Sequence, residues 1–481
     1  MPRLPVILSL LLLTVAGCKS AASLPSDART READRQAMAK WGKGLDDLPR
    51  VKLVLVSPHN ENITQEFGWA FALRHAVEKG ELVEFEWRDV GGGGSAIQQY
   101  LTNIYKTSDT ADIDVLWGGG DIVFNGLLKK IGANDDGVLQ TLDLPKDVLD
   151  NVPAELHGQR FYDPKKRWIG SAVSGFGFLY NAQMCKQTGR SFPSTWTDLG
   201  DGQFTDLLVL ADPGQSGSVT ATYMTIVQTE GTWPAGWAKL LGILSNAKRI
   251  ADSAGSSANA PVLGDALVAA CIDFYGLLRV AEAPDKLVYV SPEKQTIFGP
   301  DPIGILKNPP HPELAKEFVD YVMSAPGQAM WALRVGEKDG SVRSVLGRQP
   351  IRRDVYELYA GKMSPRIVNP FAETQGMTVA PAMKKVSFGA FRQLVVSAAV
   401  DNIDTLRQAR KRLNELAADP SKKDLHAQML AEFNTLPANV ATLEAMAATD
   451  NKLRDAVEFY NISKGWRDEF RAKFERIAAA K

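Results

Sequence analysis

Cysteine is scarce in this 481-residue chain, with three in all, and histidine numbers five. A scaffold stapled by several disulfides is thereby excluded, and one bridge, Cys185 to Cys271, is open in an oxidising compartment. Cys271 falls in an apolar pattern that reads as helix, so a free buried thiol is the alternative. Charge of one sign is lacking too. Fifty-five basic residues face 56 acidic ones, which gives no electrostatic footprint for nucleic acid. The N-terminal run 4–15 is almost wholly apolar but too short to span a bilayer. Catalytic signatures fail on spacing. Ser174-Gly175-Phe176-Gly177 has Ala172 two places before the serine, so the Gly-x-Ser-x-Gly elbow is not met. The glycines 91–94 lack the Lys-Ser/Thr ending of a P-loop. No catalytic residue, cofactor or resident metal is expected.

Glycine is plentiful, with forty residues, and many follow apolar runs. The stretch around which the chain is organised is the run 207–211, read as a strand, followed by Asp212-Pro213-Gly214-Gln215-Ser216-Gly217-Ser218. Ser216 or Ser218 caps the helix that follows. A helix start offers uncommitted N–H groups and the positive end of its dipole, so such a junction suits an anion. The device recurs. The run 51–56 breaks at Ser57-Pro58-His59, and 82–87 leads into four glycines and Ser95, which forms a capping box with Gln98. The run 114–117 ends in Trp117 and Gly118-Gly119-Gly120-Asp121, and 248–251 ends before Ser256-Ser257. Strand–helix–strand spacing of this kind predicts parallel crossovers, with ligands outside the carboxyl ends of the strands. Four successive glycines cost backbone entropy and read as a ligand-hugging loop, otherwise as a floppy turn.

These signals predict an α/β chain with two lobes joined by crossing hinge strands, and a C-terminal helical extension. Residues 1–17 read as a secretory signal and 18–48 as a tether. Lobe 1 takes 49–172 and 285–345, lobe 2 takes 173–284, and 346–481 is mostly helical. Within lobe 2, Leu263, Leu267, Ala270, Phe274 and Leu278 are spaced as one apolar helix. Ser174, Phe176 and Tyr180 lie on an extended crossing between lobes. The extension is expected to pad lobe 1 or to form a partner surface.

Val15-Ala16-Gly17-Cys18 resembles the lipobox of bacterial lipoproteins, which implies acylation at Cys18. Over about 50–335 the chain resembles the periplasmic solute-binding proteins of ABC importers, of type II fold. It is nearest the branch of ferric-iron, phosphonate, sugar-phosphate and polyamine receptors. The lipobox and the segments 51–58, 114–121, 174–181, 212–219 and 298–306 carry that likeness. It implies a lipid-anchored periplasmic monomer that closes on a small solute and docks on a permease. The ligand loops it implies are Ser57 to His59; Gly119 to Asp121; Ser174 and Phe176; and Ser216, Gly217 and Ser218 facing Ser256 and Ser257. Ferric-iron members use two adjacent tyrosines late in the second lobe, and this chain has no Tyr-Tyr. The expectation is therefore a small anionic solute, phosphate- or phosphonate-like, with Trp117, Phe176 or Tyr180 covering its organic part. Asp121 and Asp212 are caps or receivers of an amine. Ferric iron, a sugar, a polyamine, or a non-transport sensor or scaffold are the alternatives.

Overall fold

The computed structural model describes residues 24–365, 367–372 and 376–481. Cys18 and the expected signal segment lie outside the described residues. The strands are β1 (Arg50–Val56), β2 (Leu82–Arg88), β3 (Val115–Trp117), a hairpin of β4 (Glu155–Leu156) and β5 (Gln159–Arg160), β6 (Ile169–Ser174), β7 (Phe176–Asn181), β8 (Leu208–Ala211), β9 (Ala247–Ala251), β10 (Val268–Ile272), β11 (Leu287–Val290) and β12 (Gly299–Ile305). Apart from the hairpin, the described strands form two five-stranded sheets, β2-β1-β3-β12-β6 and β11-β7-β10-β8-β9. The two orders are equivalent. In each, three parallel strands are followed by one antiparallel strand and a fifth that reverses again. The antiparallel strand is in each case the one that has just crossed from the other lobe: β6 passes through Gly175 into β7, and β11 leads through 291–298 into β12. Thr296 ties these crossings together. The Phe176 N–H donates to its Oγ1 (2.9 Å), and that hydroxyl donates to the Phe176 carbonyl (2.7 Å).

This fixes lobe boundaries that composition placed differently. β6 runs to Ser174 in the lobe 1 sheet, and β11 belongs to lobe 2, so 285–290 moves from lobe 1 to lobe 2. The apolar helix expected over 263–278 is instead a helix, Ala254–Leu263, then β10, then a helix, Asp273–Glu282. A strand buried on both faces has no alternation to distinguish it from a helix, and Cys271 sits on it. Cys185 and Cys271 are both free and buried.

The helix Ala28–Trp41 is no tether. Asp27 caps it through the Thr30 N–H (2.8 Å), Ala33 and Ala37 enter the lobe 1 core, and the Trp41 indole donates to the Val77 carbonyl (3.2 Å). The C-terminal helices pack on lobe 2, not lobe 1. Phe391, Leu394, Leu406, Leu413, Phe470 and Phe474 share one core with Trp233, Trp237 and Leu240. Before reaching it, Ile351, Val368 and Phe371 pack on lobe 1, whereas Met377 and Val379 pack on lobe 2. The described residues therefore change lobe a third time.

Candidate functional site

Each parallel strand ends where a helix begins. In lobe 1 the helices Glu61–Lys79, Gly94–Tyr105 and Asp121–Leu127 follow β1, β2 and β3. In lobe 2, Gly217–Gln228, Ala254–Leu263 and Asp273–Glu282 follow β8, β9 and β10. Among the described residues, six helix N-termini thus lie at the carboxyl edges of the two sheets, three from each lobe. Contacts at the hinge bring those edges to the same side.

The centre of those contacts is Arg348, which arrives on the segment following lobe 1 and is 1% exposed. Its guanidinium meets Asp301 Oδ2 at 2.6 Å and Ser174 Oγ at 2.7 Å, with His59 Nε2 at 3.0 Å. It lies over the rings of Phe274 from lobe 2 (4.8 Å) and Trp331 (5.2 Å). His59 Nε2 also approaches Asp301 Oδ2 (2.9 Å). Burial lowers the imidazole's proton affinity despite that carboxylate. Although burial opposes it, the charge of Arg348 and the hydrogen bonds of His59 and Arg348 hold the Asp301 carboxyl well below the usual carboxylate range. Gly120 N–H donates to the same carboxylate (3.3 Å).

Asp273, at the end of β10, fastens lobe 2 to the crossing. Its carboxylate accepts from the N–H groups of Gly175 (2.5 Å) and Phe274 (2.7 Å). Burial pushes this carboxyl up to about 7, above the usual value of about 3.9. The folded protein therefore holds the proton more tightly than the unfolded chain, and stability falls as pH rises from about 4 to about 7. Asp273→Asn is expected to flatten that slope, as read by urea melts at pH 5 and pH 7.5.

The residues singled out from sequence divide into two groups. Ser57 accepts from the His59 N–H (3.1 Å) in a tight turn, and Ser174 and His59 belong to the Arg348 cluster. Gly119 and Gly120 have φ of 101° and 83°, conformations that favour glycine. Asp121 opens its helix, with its carboxyl raised by burial. Ser216 caps Val219 N–H (3.5 Å) and its hydroxyl meets that of Ser218 (3.0 Å), with Gly217 exposed between them. Phe176 is half-buried at the hinge.

The others are directed elsewhere. Trp117 is fully buried beneath His59, its indole N–H donating to Ser171 Oγ (2.8 Å). Tyr180 sits at the opposite end of β7, buried against Phe192. Ser257 is buried with its hydroxyl on the Val209 carbonyl (2.8 Å). Ser256 lies one turn inside a helix capped by Ser253. Ser95 makes no capping box: the helix begins at Gly94 after an N-cap at Gly93, with no side-chain cap bond. Gly94 has a structural reason to be glycine, because a Cβ there would lie 2.7 Å from the Gly119 carbonyl oxygen. Sequence reasoning missed Arg348, Asp301 and Asp273. A lone acid in the run Ala-Cys-Ile-Asp-Phe, or between two prolines at 300–302, was the available signal.

Among the described residues, no group of three or more His, Cys, Asp or Glu side chains is placed to hold a metal ion. No helix among them is long and apolar enough to cross a membrane.

Residues 108–342 match the sequence model of the family described as bacterial extracellular solute-binding protein. The phosphoglycerate transport regulatory protein PgtC of Salmonella typhimurium is 27% identical over 185 residues, 38% of this chain and 46% of that protein. The chain thus spans about half the length of that relative. A putative 2-aminoethylphosphonate-binding periplasmic protein of the same organism is 25% identical over 272 residues, 56% of this chain and 70% of that one. Among solved structures, the periplasmic binding protein AfuA of Actinobacillus pleuropneumoniae, with fructose-6-phosphate bound, superposes with a TM-score of 0.52 at 17% identity. The match covers 74% of this chain and 96% of AfuA. The apo ferric ion-binding protein A of Pasteurella haemolytica gives 0.52 at 14% identity, over 72% and 96%. The architecture is that of type II periplasmic binding proteins. The matched family is one of solute binders, a class without catalytic chemistry.

Proposed function

We propose that the protein captures a small anionic solute of the phosphate or phosphonate class between its lobes, outside the cytoplasmic membrane, and delivers it to an ABC permease. The observation that carries this reading is the set of helix N-termini gathered at the facing edges of the two lobes. Their free N–H groups and dipoles favour negative charge. The Ser216-Gly217-Ser218 turn adds two hydroxyls and an exposed backbone N–H. Arg348 Nε, His59 Nδ1 and Gln349 Oε1 are buried at the hinge without hydrogen-bond partners. The names of the two curated relatives, one concerned with phosphoglycerate and one with an aminophosphonate, agree with this chemistry. Closure is a hinge motion at Gly175 and Thr296, with the solute stabilising the closed state. Lipid anchoring at Cys18, a periplasmic location and a monomeric state belong to the same proposal.

A second reading, ferric iron or a cationic solute such as a polyamine, is favoured by Asp89, Asp121, Asp212 and Asp252, which follow strand ends on the same edges. Iron wants several hard oxygens held together. Native mass spectrometry with elemental analysis, on protein purified without added ligand, separates the two. An adduct containing phosphorus and no metal supports the anion, and stoichiometric iron overturns it. In the same assay Ser218→Asp places a carboxylate at the start of a helix in the cleft. It is expected to weaken anion binding at least about tenfold while leaving the ligand-free melting temperature near that of the parent.

A further inference from the structure

We infer that lobe 1 is held directly against the lipid leaflet, with the outer face of the helix Ala28–Trp41 lying on the headgroups. The inference rests on acylation of Cys18, as proposed above. The chain is fixed from its first described residues. Leu24 packs on the lobe 1 core, Pro25 is buried, and Asp27 caps the helix. Six residue steps, with only 19–23 in between, lead from Cys18 to Leu24. Fully extended, they reach about 20 Å. Had the chain been free to residue 48, the reach would have been about 100 Å. A folded body of this length has a radius of gyration of about 23 Å. The leash is thus no longer than the radius of what it holds, and the face carrying Leu24 stays beside the membrane.

The surface presented there suits a headgroup region. Ala33 and Ala37 turn inward, and Trp41 continues that stripe onto the Val77 carbonyl, which leaves Arg31, Arg35 and Met38 at three- and four-residue spacing on the outside. Met38 is 51% exposed. Lys43, just past the helix end, is exposed, whereas Lys40 donates to the Val77 and Glu78 carbonyls of lobe 1. Of the helix's acids, Glu32 pairs with Arg35 and Asp34 accepts from the Leu45 N–H. A flexible, exposed thioether among basic side chains suits a membrane interface that carries negative headgroups. The partner is a leaflet containing anionic lipid.

The test uses the full chain purified from bacterial membranes and placed in vesicles of phosphatidylethanolamine and phosphatidylglycerol. A nitroxide is attached through Met38→Cys or, as reference on lobe 2, through Leu263→Cys, a site 79% exposed. Cys185 and Cys271 are buried and do not compete for the label. The label at position 38 is expected to collide with oxygen, which partitions into lipid, at least about threefold more, relative to a water-soluble nickel chelate, than the label at 263. A 20-residue Gly/Ser insertion between Ser23 and Leu24 should abolish that difference. Equal accessibility at both positions without the insertion overturns the inference. Intact mass is read on the same sample. An unacylated Cys18 removes the leash, and so overturns the inference together with the anchor while leaving solute capture untouched.

Discussion

Replacing Arg348 by methionine is expected to destabilise the protein by about 3–5 kcal/mol at pH 7 and to weaken solute capture by more than the Ser218→Asp change does. The reason is what stays behind. Arg348 is the cation that faces the Asp301 carboxylate at 2.6 Å inside the hinge, and His59, the next polar neighbour, is driven towards its neutral form by burial. Methionine fills the space between Phe274 and Trp331 but leaves an unpaired buried charge. The pH dependence separates this cause from simple packing loss. Asp301 is held below its unfolded value, so its pairing contributes stability above about pH 4 that is lost only as pH falls through the lower, folded value. In the variant, burial without a counter-charge pushes the same carboxyl up, and it takes a proton instead. The deficit measured by urea denaturation should therefore shrink on acidification. Adding Asp301→Asn to Arg348→Met should recover a large part of it. A deficit unchanged by pH and by the second substitution would show that Arg348 acts only by filling space.

That cluster also marks where sequence reading stops. Strands followed by turns were legible at β1, β3 and β8, because an apolar run, a proline or glycine break and a helix start lie side by side in the chain. The two-lobed plan was legible for the same reason. β10 was not, since its four-residue apolar spacing imitates a helix and the strand is buried on both faces. Arg348 was not legible either. Its partners His59 and Ser174 are 289 and 174 residues away, and nothing local distinguishes it from a surface arginine. Trp117 and Tyr180 misled for the converse reason: an aromatic at a strand end looks available to a solute until the packing above it is known.

The second large effect concerns the C-terminal helices. Truncation after Thr378 is expected to destroy cooperative folding of lobe 2 rather than trim an accessory domain. The solved structures of this architecture cover about three-quarters of the chain while being matched over almost their whole length, so the extension looks dispensable from comparison alone. The packing argues otherwise. Trp233 and Phe391 rings lie 6.1 Å apart and Trp237 and Phe470 rings 5.8 Å apart. The Trp233 indole donates to the Val440 carbonyl (2.7 Å), and Arg410 and Asn414 bond to Asn246 and Thr205 (both 2.9 Å). Removing the helices would expose Trp233, Trp237, Leu240 and their neighbours together and orphan the polar groups beside them. At about 25 cal/mol per Å² of apolar surface, several large side chains exceed the 5–15 kcal/mol that holds a typical domain together. A single contact from the same interface gives a graded test: Phe470→Ala should cost about 3–5 kcal/mol. The extension also reaches the candidate site. A Cβ on Gly214 would lie 3.3 Å from Val396, so the Ser216–Ser218 turn is backed by the helices and its geometry depends on them. Circular dichroism and urea melts of the truncated chain should show a lost or broadened lobe 2 transition beside a retained lobe 1 transition. A truncated protein that melts in one sharp step and still captures its solute would mean that lobe 2 owns a sufficient core of its own.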